Sequence, residues 1–260
     1  MKKFEFIKNY LKYYFHAKTK YSIHSPFVFE FVTKVLECRS GDEARLKEIE
    51  ALRKTLLSSG QEIQVVDLGA NNTSNSSSVK KVRDIVKNSA KSRKYVRLLY
   101  RITNHYKLQN MLELGTSAGI SSMYIASSAQ DVITVEGSPE IANLAKENFS
   151  KLHFKNIHLI NGNFDDVLPE ILNNYPGFDC VFFDGNHRKD ATLKYFEQCL
   201  PYIKNETIFI FDDINWSEGM KNAWHKIIQH SSVKVSIDLY FLGIVFFRKE
   251  LSKENFVIRF

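Results

Sequence analysis

The sequence predicts an α/β fold built on a mostly parallel sheet, with a mainly helical extension at the N-terminus. Three observations carry that prediction. From residue 110 onward, short apolar runs recur at 111–114 (MLEL), 132–135 (VITV), 157–160 (IHLI), 180–183 (CVFF) and 207–211 (TIFIF), each the length of a buried strand. The segments between them, such as SPEIANLAKENFSKL and ATLKYFEQCLPYI, space their apolar residues as helices do. Alternation of this kind needs crossover connections, and crossovers give parallel strands covered on both faces. The last two runs, 235–247 and 255–259, are joined only by KELSKE, so an antiparallel hairpin is expected between them at one edge.

Before residue 110 the pattern is helical. Phe4, Ile7, Tyr10, Leu11 and Tyr14 fall at mixed three- and four-residue spacings, SIHSPF interrupts them, and Pro26 suits a first helical turn after Ser25. A charged helix runs through DEARLKEIEALRKTLLSS, followed by a short strand or extended segment at 65–70 (VVDLGA). The polar loop NNTSNSSS at 71–78 has the composition of a mobile lid, and 79–107 reads as one or two helices. The expected division is therefore an extension over 1–107 and a ligand-binding domain over 108–260.

Composition narrows the classes. With 260 residues, 44% hydrophobic and 25% charged, the chain can bury one sizeable core and is no candidate for disorder. The longest apolar stretch, LYFLGIVFF, is bounded by Asp238 and Arg248 and is too short to span a bilayer. Charges interrupt the first twenty residues, so no secretory signal is expected and the protein reads as cytoplasmic. Three cysteines without a CxxC pair speak against a disulfide framework and a zinc site. The net charge of +7, concentrated before residue 110, suits an anionic partner and equally a solvated basic face.

Two glycine turns compete for the ligand. A site in such a sheet lies beyond the carboxyl ends of the strands, where small residues let a ligand approach the backbone. After MLEL the chain runs Gly115-Thr-Ser-Ala-Gly119 into the helix ISSMYIASSA, and the next strand ends in Glu136, at an offset suited to ribose hydroxyls. The VVDLGA stretch has no such sequel. The turn is Glu-x-Gly-x-x-x-Gly, without the G-x-G-x-x-G spacing of a pyrophosphate site, and its acid favours a cofactor with a cationic amino group.

With LELGTSAGIS, VITVEGSPE, NGNFDDVLPEI, FDCVFFDGNH and IFIFDD in that order, the chain over about 110–250 resembles the class I S-adenosylmethionine-dependent methyltransferases, in their catechol-type O-methyltransferase branch. The resemblance implies a Rossmann-like seven-stranded sheet in the order 3-2-1-4-5-7-6, with strand 7 antiparallel. It implies that Glu113, Gly115, Ser117, Gly119 and Ser121 hold the methionine part of S-adenosylmethionine, that Glu136 binds the ribose, and that Phe164 and Asp165 border the adenine. Core packing is the alternative for Phe164. Asp184, Asp212 and Asp213 stand where the branch binds a divalent metal, usually Mg²⁺, with Asp184 also near the cofactor. Asp213 departs from the Asn often found there, and the Asp pair also suits a cap for SEGMKNAWHKII. His187 occupies the place of a lysine and, with Asp184, would serve the acceptor's deprotonation; a loop histidine bonded to an aspartate is the alternative. Trp216 and Trp224 would line an acceptor pocket or pack the N-terminal helices on the sheet.

The function expected is methylation of a small hydroxylated acceptor. Methylation of RNA such as tRNA, a non-catalytic cofactor-binding module, and peripheral membrane contact through the aromatic, basic first twenty residues stay open beside it. A homodimer is compatible with all of them.

Overall fold

The computed structural model describes residues 3–38, 43–66, 77–175 and 177–260. Contacts gather the chain into two compact units, Cys38–Asn174, and Met1–Glu37 together with Tyr175–Phe260. In chain order the elements are α1 (Lys3–His16), α2 (Pro26–Glu30, continued in wider π-type turns over Phe31–Leu36), α3 (Glu43–Leu57), β1 (Glu62–Val66), β2 (Ser77–Lys81), α4 (Val82–Ser89) and α5 (Arg93–His105). They continue as β3 (Asn110–Leu114), α6 (Ile120–Ala126), β4 (Asp131–Glu136), α7 (Pro139–Lys151), β5 (Ile157–Asn161), α8 (Phe164–Asn174), β6 (Cys180–Phe183), α9 (Lys189–Cys199), β7 (Ile208–Asp212), α10 (Glu218–Gln229), β8 (Val235–Asp238), β9 (Leu242–Phe246) and β10 (Glu254–Val257). Among the described residues, no helix is long and apolar enough to cross a membrane.

In the Cys38–Asn174 unit, β3, β4 and β5 lie side by side and parallel. Strands β3 and β4 are buried at almost every position, as parallel strands covered on both faces must be. Leu46 and Ile49 of α3, Val86 of α4, Val96 of α5, Met123 of α6 and Phe149 of α7 belong to one core. Helices α3 to α5 are thus integral to this unit. Strands β1 and β2 form a separate antiparallel hairpin, with Glu62 opposite Lys81. Of the loop expected at 71–78, residues 71–76 lie outside the described residues, as do 67–70 of VVDLGA; Ser77 and Ser78 belong to β2.

The other unit orders its strands β6-β7-β9-β8-β10, with β9 antiparallel to both neighbours. Within each unit the order is the expected one: β3, β4 and β5 are strands 1, 2 and 3, and β6, β7, β9 and β8 are strands 4, 5, 7 and 6. Two details differ. The hairpin falls inside the run 235–247, between β8 and β9, and not between that run and 255–259. Its turn is hidden in an apolar sequence: Asp238 Oδ1 accepts from Tyr240 N at 2.7 Å, and Tyr240 sits in the left-handed region at φ 72°. An Asx-type turn of this kind reverses the chain without glycine or proline. The second difference is an additional strand, β10, which joins the edge parallel to β8.

Helices α1 and α2 pack in this second unit, so the extension expected over 1–107 is shared between the two units. Tyr13 anchors α1: its hydroxyl donates to Ile258 O at 2.5 Å and accepts from Phe260 N at 3.2 Å. Phe27 and Phe31 meet the ring of Phe246 edge-on. Phe183 of β6 and Phe211 of β7, paired in register, stack with centroids 4.5 Å apart. Gly243 pairs with Phe211 across β7 and β9, and the indole of Trp224 fills the place of its missing side chain. A Cβ there would lie 2.7 Å from two atoms of that ring. Gly243→Ala should therefore overpack the core and cost about 1–3 kcal/mol in chemical denaturation; an unchanged midpoint would show that Trp224 can yield.

Candidate functional site

The loop leaving β3 is shaped by three residues with positive φ: Gly115 at 113°, Ser117 at 48° and Gly119 at 80°. Gly119 starts α6, and a Cβ on it would lie 2.3 Å from Phe149 Cε1, so both its backbone and its surroundings demand glycine. Asn148, fully buried on α7, donates from Nδ2 to Ala118 O at 3.0 Å and ties the turn to the helix behind it.

Beneath the turn lies Glu113, with no exposed surface. Thr134, its neighbour in register on β4, donates to Oε2 at 2.7 Å, and Ser122 Oγ donates to the same oxygen. Thr134 has one proton and gives it to Glu113, so in the 2.6 Å contact between Thr116 and Thr134 it is Thr116 that donates. The Ser121 hydroxyl also faces the carboxylate, while Oε1 lacks a partner of good geometry among the described residues. Burial pushes the Glu113 carboxyl up to about 6, against the lowering effect of the Ser121, Ser122 and Thr134 hydroxyls.

Glu136, at the end of β4, clasps the turn from the side. Its Oε2 accepts from Ser117 N at 2.9 Å and its Oε1 from Ser138 N at 3.0 Å. Burial raises its pKa, and the N–H bonds from Ser138 and Ser117 oppose the rise. Each carboxylate keeps acceptor capacity beyond these bonds for a ligand. Ser117 also meets Ser89, the last residue of α4, through hydroxyls 2.5 Å apart. Phe164 opens α8 half-buried, and Asp165 beside it is exposed, its N–H donating to Asn163 Oδ1 at 3.0 Å.

A second constellation belongs to the other unit. Asp184 follows β6 and Asp212 ends β7; with His187 they place one donor atom each within 4.8 Å of one another. His187 Nε2 stands 4.0 Å from Asp184 Oδ1. Asp212 is buried, Asp184 nearly so, and about a quarter of the His187 side chain is exposed. Asp213 is not in this group: its backbone is left-handed at φ 52°, and its carbonyl accepts from Trp216 N at 2.9 Å. The cap of α10 is Ser217, whose Oγ accepts from Met220 N at 3.1 Å, so the Asp pair does not serve there. Trp224 is core, packed on Gly243, whereas Trp216 is 60% exposed.

The residues expected around the turn are thus gathered in one unit, and Asp184, His187 and Asp212 in the other. Thr116, Ser122, Thr134, Asn148 and Ser89 complete the turn's hydrogen bonds without having been expected. Their sequence setting carries no mark of that role, which depends on register and burial.

A methyltransferase-domain family model matches residues 112–214. A catechol O-methyltransferase of Niastella koreensis is 28% identical over 126 residues, 46% of this chain and 55% of its own length, so the match spans about half of that relative. The O-methyltransferase of Bacillus cereus, solved with S-adenosylhomocysteine, superposes over 85% of this chain and 97% of its own with a TM-score of 0.56 at 18% identity. The S-adenosylhomocysteine-bound methyltransferase PaMTH1 of Podospora anserina covers 87% of this chain and 97% of its own, with a TM-score of 0.60 at 14% identity. These likenesses are likenesses of fold.

The buried carboxylate makes a pH-dependent prediction. A carboxyl raised to about 6 contributes stability that is complete below the ordinary glutamate range and lost as pH rises through 6. Glu113→Gln removes the charge, so thermal unfolding should find the variant more stable than the wild type by about 1–2 kcal/mol at pH 8 and no more stable at pH 4. A difference independent of pH would contradict this account.

Proposed function

We propose that residues 112–214, which match a methyltransferase-domain model, serve as a class I methyltransferase domain, and that the protein methylates the hydroxyl of a small acceptor with S-adenosylmethionine. The observation that carries the reading is the left-handed turn Gly115–Gly119 set over a buried carboxylate, with a second carboxylate at the end of the neighbouring strand. The cofactor supplies a methyl group made electrophilic by the sulfonium.

Glu113 gives the floor of the turn a negative potential, with Oε1 left over, which favours an ammonium and repels a phosphate. Gly115 and Gly119 keep the backbone bare for close approach, with Ser117 and Ser121 offering hydroxyls. Glu136 takes the ribose hydroxyls with the lone pairs that Ser117 N and Ser138 N leave open. Phe164 and Asp165 border the adenine, the ring as an apolar edge and the exposed acid as an acceptor.

On the acceptor side, the carboxylates of Asp184 and Asp212 would hold a divalent cation, with the His187 imidazole close beside them. Such a cation, Mg²⁺ in this reading, would lower the pKa of an acceptor hydroxyl. His187, the most exposed of the three, takes the acceptor proton at Nε2, and Asp184 holds the imidazolium that results. Asp213 serves through its backbone, which sets the course of the loop after β7. Cys38, Cys180 and Cys199 are thiols outside any disulfide, which accords with a reducing, cytoplasmic setting.

Calorimetric titration with S-adenosylhomocysteine tests the cofactor half. Wild type should bind, and Glu136→Ala should bind about 10–100-fold more weakly, the worth of hydrogen bonds to a charged group. With the metal concentration fixed, His187→Gln should keep that affinity and lose about 100-fold in kcat on a hydroxylated aromatic acceptor. Failure of the folded wild type to bind would end the proposal, and an unaltered kcat would remove His187 from proton transfer.

A further inference from the structure

Helix α1 carries an apolar arc that the fold leaves outside. Its packing face is already taken: the rings of Tyr10 and Tyr13 lie 5.1 and 5.2 Å from that of Tyr240, and the Tyr13 hydroxyl is bonded at both ends to the C-terminal segment. With its rotation fixed in this way, α1 turns Ile7, Leu11, Tyr14 and Phe15 outward, at i, i+4, i+7 and i+8. Ile7 is 48% exposed, Leu11 47% and Phe15 72%, and Tyr21 in the following turn is 86% exposed. Single exposed apolar residues are ordinary in proteins, whereas a contiguous row along one helix face marks an interaction surface.

Charge decides what covers the row. The helix holds three lysines against one glutamate. Exposed Lys8 and Lys12 stand three residues before Leu11 and Phe15, and so border the row on one side. The Arg259 guanidinium lies 4.3 Å from the centre of the Tyr14 ring, adding a cation at the same patch. A second copy of the chain would bring the same cations against these, and a polynucleotide would satisfy the lysines but leave Ile7 and Leu11 in water. A surface with anionic phosphates above and acyl chains below satisfies both halves.

We propose that α1 docks the protein on an anionic lipid bilayer, with Ile7, Leu11, Tyr14 and Phe15 sunk at the headgroup level and Lys8 and Lys12 on the lipid phosphates. Docking is independent of the methyl-transfer reading.

Co-sedimentation of the full chain with vesicles tests it. The wild type should pellet with phosphatidylglycerol–phosphatidylcholine vesicles, less so in high salt, and stay in solution with phosphatidylcholine alone. Leu11→Glu with Phe15→Glu should weaken partitioning about tenfold or more with an unchanged unfolding midpoint. Lys8→Glu with Lys12→Glu, which leaves the apolar row intact, should weaken binding to anionic vesicles by about tenfold or more. Wild type that stays in solution with anionic vesicles, or Glu variants that bind as well as wild type, would overturn the proposal. A dimer by light scattering that the Leu11 and Phe15 variant dissolves would assign the face to a second copy and overturn it equally.

Discussion

The buried carboxylate of Glu113 is the constraint from which the rest of its unit follows. A carboxylate with no exposed surface on a strand of a parallel sheet is costly unless hydrogen bonds meet it. The strand pairing delivers one, because Thr134 stands beside Glu113 in register; α6 delivers another from Ser122. Thr134, having spent its proton, needs a donor of its own and finds Thr116 in the turn. The polar chain thus runs from the turn through β4 to β3, and it fixes where the backbone between Gly115 and Gly119 can go. Phe149 and Asn148 close the turn from behind, one by filling the space a Cβ at Gly119 would need and the other by holding Ala118 O.

That network explains why part of the site was legible in the sequence and part was not. Glu113, Gly115, Gly119 and Glu136 stand out because an acid between apolar residues, or glycine at a strand end, has few structural uses. Thr134 and Ser122 carry no such mark: within VITVE and ISSMY they fit a strand and a helix on propensity alone. Their role appears only when register and burial are known. Ser89 is harder still, since its contact with Ser117 joins residues 28 apart through a helix end in a lysine-rich stretch.

The fold shows the same division between periodic and local information. Alternating strands and helices after residue 110 were readable because burial on both faces writes continuous apolar runs. The turn between β8 and β9 was not, because Leu239, Tyr240 and Phe241 are apolar and the reversal depends on one Asp238 side chain bonding a backbone N–H. An apolar run was therefore read as one strand where there are two. The same blindness to local backbone applies at Asp213, where the resemblance implied a metal ligand beside Asp212. The left-handed conformation at φ 52° instead goes with its absence from the cluster that holds Asp184, His187 and Asp212.

Left-handed backbone at non-glycine residues recurs beside each polar constellation: Ser117 in the turn, Asn186 between Asp184 and His187, and Asp213 after Asp212. Each such residue costs stability, of order 1 kcal/mol or more, and persists only where surrounding contacts over-determine it. At Ser117 those contacts are visible, since its N–H is held by Glu136 and its hydroxyl by Ser89. Asn186 is likewise held, its Nδ2 donating to the Tyr195 hydroxyl at 3.1 Å on α9, a helix buried by Phe196 and Cys199. Strained loops thus follow directly on the strand ends where the buried carboxylates Glu113 and Asp212 lie. In each unit the strands supply the stability, and the residues at their carboxyl ends hold a geometry that an isolated loop could not.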